Sequence, residues 1–547
     1  MRTQREKNID HFKTLDRSLS PPLGGFRGGR HRAPPDPPRG NLGGINPVTN
    51  RSESPPLGGF RGEEEPMTET LKQQTAKGVL WSAIERFSVQ GLQFILGLIL
   101  ARILMPEDYG LVGMLTIFIA LSQSIVDSGF SSALIQKKDR NETDYSTAFF
   151  FNIGIGLFLY FILFFSAPLI ADFYEMKELT NLTKVVGINV FIASLTIVQR
   201  AKLTIALDFK TQARASFIAV LIGGILGITL AYKGFGVWAL VAQTLTRNSI
   251  NSVLLWILSK WVPKREFSIN SFKRLFSFGS KLLGAGLLNT IFENIYLLVI
   301  GKLFSATDLG FYTRAKQFQK LPSQNITQII QRVTFPVLSS IQDEEEKLRK
   351  AYISFIRMSA YIVFPLMIGL AMISKPLILI VLTDKWLPVV PLLQILCIAG
   401  MLYPVQAINL NILNVRGRSD LFLRLEIIKK AIIAITILIT WRWGVIALVW
   451  GQVVIAFISY FLNTYYTEKF IQYTTWTQLK DLFLIAILSA PMIFTIFIIQ
   501  QMTSNNLVQL LCSITLGGAT YYFTGKVFKT TELKEIRNLI RRKNNEK

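Results

Sequence analysis

ARILMPEDYGLV (101–112) decides how this chain reads, because it returns two hundred residues later as GKLFSATDLGFY (301–312). Asp108 answers to Asp308, Gly110 to Gly310 and Arg102 to Lys302. Each copy follows an apolar run about one bilayer thickness long and opens a second one. Two related bundles of membrane helices are expected, facing each other across a working site.

Composition agrees with that expectation. Hydrophobic residues make up 50% of the 547 and mean hydropathy is positive, which places the chain among all-α polytopic membrane proteins. The formal charge is +24. Basic residues at membrane edges set orientation, so nucleic acid is not an expected partner. Cys397 and Cys512 both lie in apolar runs, which argues against a disulfide framework and a thiolate metal site. His11 and His31 fall in the N-terminal tail, so the membrane body has no imidazole for acid–base work or zinc. No phosphate-cradling loop is present: GIGLF from Gly154 and GGILG from Gly223 read as small residues for close helix packing. Neither catalytic residues nor a resident metal or cofactor are expected, and the chain reads as no enzyme.

Residues 1–66 are rich in Pro, Gly and Arg and carry SPPLGGFRG twice, at 20–28 and 54–62. Such a segment cannot bury enough apolar surface to fold. It reads as a start-site artefact ahead of Met67, or else as a real disordered extension. Apolar runs then succeed one another from 79–101 to 505–525, giving about fourteen helices. The run at 310–336 carries several charges, and the run at 352–382 is long enough to break at Pro365 or Pro376. The division is an N-lobe at 67–260, a C-lobe at 261–466, two further helices at 467–525 and a basic tail at 526–547. With the N-terminus inside, inner connections hold residues such as Lys137, Arg200, Lys260 and Arg416, and outer ones Arg102, Lys302 and Lys385. The excess is nearly three to one inward, and an even number of crossings brings the C-terminal tail to the same side.

Ionisable residues inside apolar spans point to function. The acids are Glu85, Asp127 and Glu293; the bases are Arg86, Arg247, Lys281, Arg314, Lys316, Lys320, Arg332 and Arg357. A charge at mid-bilayer costs roughly 2.5 to 3.5 kcal/mol, so deep ones should face a partner or a wet cavity. The cationic majority fits an anion such as a diphosphate or acidic sugar. Arg86, Arg247, Arg314, Lys316, Lys320 and Arg332 are the candidate substrate-binding residues. Glu85, Asp127 and Glu293 are the candidates for coupling to H+ or Na+. Arg314, Gln317 and Lys320 share a helical face, with Lys316 beside it. Gln90, Gln93, Asn289, Asn294, Gln324, Asn325 and Gln328 add neutral hydrogen-bonding groups. For any one of these charges the plainer role is a salt bridge or a headgroup contact at a helix end.

Longer stretches resemble a known family. LARILMPEDYGLVGM (100–114), IVDSGFSSALIQKKD (125–139), GVWALVAQ (236–243), DLGFYTRAKQFQKLP (308–322), FPVLSSIQDE (335–344), the segment KWLPVV to EIIKK (385–430) and GVIALVWGQ (444–452) are similar to the lipopolysaccharide and exopolysaccharide flippases of the MOP superfamily, in its Wzx/TuaB-like branch. The resemblance covers about 75–528. It implies two six-helix lobes followed by two helices, and translocation of undecaprenyl-diphosphate-linked oligosaccharide across the bacterial cytoplasmic (inner) membrane by alternating access, for O-antigen, capsule or exopolysaccharide. The implied partners are that lipid-linked oligosaccharide and the membrane lipids, with a polysaccharide polymerase and glycosyltransferases alongside. The rivals are a membrane glycosyltransferase, polymerase or ligase on the same carrier, and a multidrug antiporter of the same superfamily. The first would carry a sizeable external loop with acidic or His residues, and the second a carboxylate-lined cavity.

Overall fold

A computed structural model describes residues 88–545; the N-terminal extension at 1–66 lies outside them. Among the described residues the ordered elements are helices and none is a strand. A bilayer favours this, because each helix satisfies its own backbone polar groups.

The repeated stretch builds the same junction twice. Helix α1 (Ser88–Ile103) meets α2 (Pro106–Asp127), and α9 (Ile269–Leu303) meets α10 (Ala306–Ser340). The first helix of each pair closes alike: Leu104 N–H donates to the Leu100 carbonyl at 2.8 Å, and Phe304 N–H to that of Ile300 at 3.0 Å. Asp108 accepts from the Met105 N–H at 2.8 Å, and Asp308 from the Ser305 N–H at 3.3 Å. The Ser305 hydroxyl in turn accepts from the Asp308 N–H at 3.0 Å. These bonds serve donors that a helix start leaves unpaired. The shared glycines do the other half of the work. A Cβ on Gly110 would strike the Ala306 carbonyl, and one on Gly310 the Pro106 carbonyl, so α2 and α10 approach backbone to backbone only because both lack a side chain.

The rest of the N-lobe is α3 (Phe130–Gln136), α4 (Glu142–Tyr174), α5 (Glu178–Ser194), α6 (Ile197–Ile205), α7 (Phe209–Tyr232) and α8 (Val237–Ser259). A turn at Ser128 and Gly129, with φ of 42° and 69°, divides α2 from α3. Helices α7 and α8 pack closely, with a Cβ on Gly223 falling 2.8 Å from the Gln243 carbonyl. The Gly223 cluster is thus the packing surface expected of it.

The C-lobe continues with α11 (Glu345–Met372), α12 (Ser374–Val381), a one-turn 3-10 helix (Asp384–Trp386), α13 (Val389–Val415), α14 (Ser419–Thr440) and α15 (Gly444–Ile471). Behind it follow α16 (Thr475–Ile487), α17 (Ala490–Met502), α18 (Asn506–Val527) and α19 (Thr531–Asn545). The predicted break in the run at 352–382 falls at Ile373, and neither candidate proline causes it: α11 runs through Pro365. Pro376 sits in the first turn of α12, where a missing N–H costs nothing.

Nine helical segments among the described residues are long and apolar enough to cross a membrane, and one of them, Ser419–Ile471, holds both α14 and α15. The chain is an all-α multi-pass membrane protein. Large apolar side chains such as Phe165, 72% exposed, Leu169, Leu438, Phe494 and Phe523 cover its outside, as a lipid-facing surface requires. The main core joins both lobes at the end that carries the repeat, where Leu111, Met114 and Tyr174 meet Leu309, Tyr312, Trp386 and Leu393.

Candidate functional site

Below this shared core, α1, α2, α9 and α10 leave a cavity of about 430 Å³ between the lobes. Helix α10 dominates it. Thr313, Lys316, Gln317, Lys320 and Gln324 line the cavity at the i, i+3, i+4, i+7 and i+11 spacing that puts them on one face. The opposite walls hold Gln90, Gln93 and Phe94 from α1, Thr116 from α2, and Glu293, Asn294 and Leu297 from α9. Lys316 donates to the Glu293 backbone carbonyl at 3.2 Å, which ties α10 to α9 and leaves the Glu293 carboxylate to accept from Asn289 at 3.0 Å. The wall therefore combines two ammonium groups, one carboxylate and several amides. Such a set binds an anion through charge-assisted hydrogen bonds and neighbouring hydroxyl-rich groups through the amides.

The other face of α10 is apolar. Phe318, Leu321 and Pro322 line a second cavity of about 610 Å³ with Pro365 and Leu366 of α11, Met492 of α17 and Ile514 of α18. Phe94 and Leu321 line both cavities, so polar cavity and apolar groove adjoin at these two side chains.

The residues singled out from sequence fall into three places. Lys316, Lys320 and Glu293 line the central cavity. Asp127 and Arg247 line a separate polar pocket of about 400 Å³ inside the N-lobe. Arg314 lies in the seam between the lobes: it is 5% exposed, its guanidinium carbon stands 3.8 Å from the Tyr109 ring centroid, and it donates to Gln317 at 2.6 Å. Arg332 is exposed further along α10. Glu85 and Arg86 lie outside the described residues. Arg357 pairs with Glu532 at 2.6 Å and Asp481 at 3.4 Å, holding α19 to α11 and α16.

Contacts at the repeat end that no sequence pattern marks lock the lobes together. Lys385 donates to the Arg102 carbonyl at 2.8 Å and Trp386 to that of Ala101 at 2.8 Å, so the C-lobe satisfies open carbonyls in the last turn of α1. On the other side Lys302 pairs with Glu175 at 2.8 Å. The Lys302 ammonium beside it holds the Glu175 carboxyl below the usual range for a glutamate. At the opposite end the lobes meet again, where a Cβ on Gly129 would fall 2.8 Å from Gly279 Cα.

Known proteins share this architecture and sequence. The teichuronic acid biosynthesis protein TuaB of Bacillus subtilis (strain 168) is 30% identical over 64% of this chain and 73% of its own length. The lipopolysaccharide biosynthesis protein WzxC of Escherichia coli (strain K12) is 26% identical over 72% of this chain and 81% of its own. The fold is that of the lipid II flippase MurJ in an inward closed conformation, with a TM-score of 0.69 at 17% identity over 84% of this chain and 100% of that one. A family model described as polysaccharide biosynthesis protein matches residues 99–391, more than half of the sequence, and the chain belongs to that family.

Proposed function

We propose that the protein is a flippase that carries an undecaprenyl-diphosphate-linked oligosaccharide across the bacterial cytoplasmic membrane for surface polysaccharide assembly. The observation that carries this reading is the two-faced α10: Lys316 and Lys320 face a polar cavity, Phe318 and Pro322 an apolar groove, and Phe94 with Leu321 belong to both. An amphiphile with a charged head and a long hydrocarbon chain matches that division. The diphosphate would bind the two lysines, the first sugars the surrounding amides, and the start of the lipid chain the groove. The relatives' names, which include a lipid II flippase and a lipopolysaccharide biosynthesis protein, support the same substrate class.

Alternating access would follow from opening the seam at Gly110 and Gly310 while the Gly129 and Gly279 contact at the opposite end holds, and from the reverse. In this reading the protein makes fourteen crossings, both termini are cytoplasmic, the repeat end faces outward, and no bond of the substrate is made or broken. Glu293, the carboxylate in the central cavity, is the preferred carrier of a coupling H+ or Na+. A multidrug antiporter is disfavoured by the two ammonium groups in the cavity.

The test is the leaflet distribution of complete lipid-linked oligosaccharide in cells lacking the protein. Accumulation in the inner leaflet, relieved by restoring the gene, supports the reading. Complete units that reach the outer leaflet but stay unpolymerised or unattached would overturn it in favour of an enzyme.

A further inference from the structure

The apolar groove beside α10 meets polar groups at both of its ends, and the two ends differ in charge. Toward the repeat end it is lined by Leu377 of α12, Ile496 of α17 and Ser513 of α18. Beyond these residues the same three helices enclose a polar pocket of about 420 Å³, with Lys375, Gln500, Gln501, Thr503, Asn506 and Gln509 in its wall. Gln500 follows Ile496 by four residues and Gln509 precedes Ser513 by four, so each lies one turn along the face that lines the groove. The pocket therefore continues the groove. Its wall is held in place: Gln500 donates to the Met372 carbonyl at 2.8 Å and Gln509 to that of Thr503 at 2.6 Å. Both side-chain oxygens are left to accept from hydroxyl groups.

At its other end the groove is lined by Tyr361 of α11, Tyr521 of α18 and Ile536 of α19. The cations there are already compensated. Lys350 pairs with Glu346 at 3.5 Å, Arg357 with Glu532 and Asp481, and a further carboxylate, Glu535, rests on the Ser354 hydroxyl. An anion approaching this end meets paired cations and acid. Lys375 is the one charge in the wall of the pocket toward the repeat end; it is exposed and stands in no ion pair among the described residues. Attraction for an anion is thus confined to that end of the groove.

We propose that this pocket is a second headgroup site, where the phosphate and first sugar of a lipid-linked glycan rest at the repeat end while the lipid chain lies in the groove. Lys375 takes a phosphate oxygen, and Gln500, Gln501 and Gln509 take sugar hydroxyls. The substrate then has two stations that share one chain-binding surface, the central cavity at Lys316 and Lys320 and this pocket at the membrane face. The assignment rests on the flippase reading for the identity of the amphiphile, while the site itself can be tested without any transport.

The experiment illuminates the purified full-length protein in lipid nanodiscs with farnesyl diphosphate-linked N-acetylglucosamine that carries a diazirine on its sugar, and maps the labelled peptides by mass spectrometry. In wild type the label should fall on the turn at 500–509 as well as on α10. Lys375→Gln changes an exposed side chain and should lower labelling of the turn by roughly fivefold, the upper end of what one solvent-exposed charge contributes, while α10 keeps its label. Gly518 lines the groove, and a Cβ there meets nothing within 4 Å. Gly518→Leu therefore fills the groove without displacing a neighbour, and it should remove the label from the turn because the chain no longer holds the sugar there. An unlabelled turn in wild type, or a turn whose label survives in either variant, would overturn the proposal. A sugar nucleotide with the same diazirine and no lipid chain should leave the turn unlabelled; equal labelling would assign the pocket to a soluble sugar phosphate and also overturn it. Failure of the wild type to flip lipid in vesicles would instead count against the flippase reading and leave the labelling result standing.

Discussion

Gly110 of α2 and Gly310 of α10 stand two hundred residues apart in sequence and in contact in space, each allowing the other helix's first turn to pass where a side chain would be. The atoms they face are backbone carbonyls of Ala306 and Pro106, which cannot swing aside as a side chain can. Adding a methyl group at either position should therefore part the helices. Gly110→Ala and Gly310→Ala are expected to insert and fold, since alanine favours a helix by about 1 kcal/mol over glycine, and to populate the state open at the repeat end. A cysteine placed at Thr313 should then react with a membrane-impermeant reagent added from that side. An unreactive cysteine in both variants would show that the crossing is not the gate.

Lys316→Gln and Lys320→Gln should each weaken headgroup binding, because a hydrogen bond to a charged group contributes about 1.5 to 3 kcal/mol, or roughly ten- to a hundredfold. Surface polysaccharide should fall while the amount of protein in the membrane stays constant. Arg314→Gln serves as contrast. Its guanidinium rests on Tyr109 within the seam, so it should alter the opening of the lobes more than the affinity for a diphosphate.

Trp386 is fully buried and packs edge-on against Tyr109 of the N-lobe and Phe311 of the C-lobe. Trp386→Ala should cost about 3–5 kcal/mol, the range for removing a large buried aromatic. A lowered unfolding temperature in detergent, together with faster labelling of the seam, is the expected signature.

Acid should loosen the other side of the same seam. The folded protein holds Glu175 below its ordinary value through Lys302. Its contribution is thus present above the unfolded carboxyl's range and is lost as pH falls through the lower folded value. Distances between spin labels across the Glu175 and Lys302 pair should lengthen only once the pH has fallen below the usual glutamate range, and Glu175→Gln should show the longer distance at neutral pH as well.

Much of this organisation is legible in the sequence because it is written in periodicity. The repeat at 101–112 and 301–312 marks the junction, and both of its identical residues have assigned work there, Asp at the helix start and Gly at the crossing. The spacing along α10 puts Arg314, Gln317 and Lys320 on one face with Lys316 beside it, whereas the cavity is lined by Lys316, Gln317 and Lys320. Arg314 shows where periodicity gives out. It lies about 100° around the helix from Thr313, at the edge of the stripe, and its long side chain turns into the seam. The contacts of Lys385 and Trp386 were hidden for a different reason, since their acceptors are backbone carbonyls that carry no mark in the sequence. Arg200 reads as an ordinary inner-loop cation until folding places it in a pocket with Arg247. The run RNSINS (247–252), unusually polar for a membrane helix, was the available signal.

The C-terminal helix offers a last check. Glu532 is buried against Arg357, and Glu535 accepts from Ser354 at 2.8 Å. Arg357→Ala should leave the Glu532 carboxylate buried without its partner and free α19 from α11. Tryptic cleavage after Lys529 should then accelerate on the order of tenfold, as local opening becomes easier.

The latch of Lys385 and Trp386 on α1 has an evolutionary consequence. Its donors are side chains, but its acceptors at Ala101 and Arg102 are carbonyls that every amino acid supplies. Divergence can therefore rewrite Arg102 freely, while Ala101 is held small by the core and the key must keep its shape. A map of tolerated substitutions should be lopsided across this seam, permissive at Arg102 and strict at Trp386.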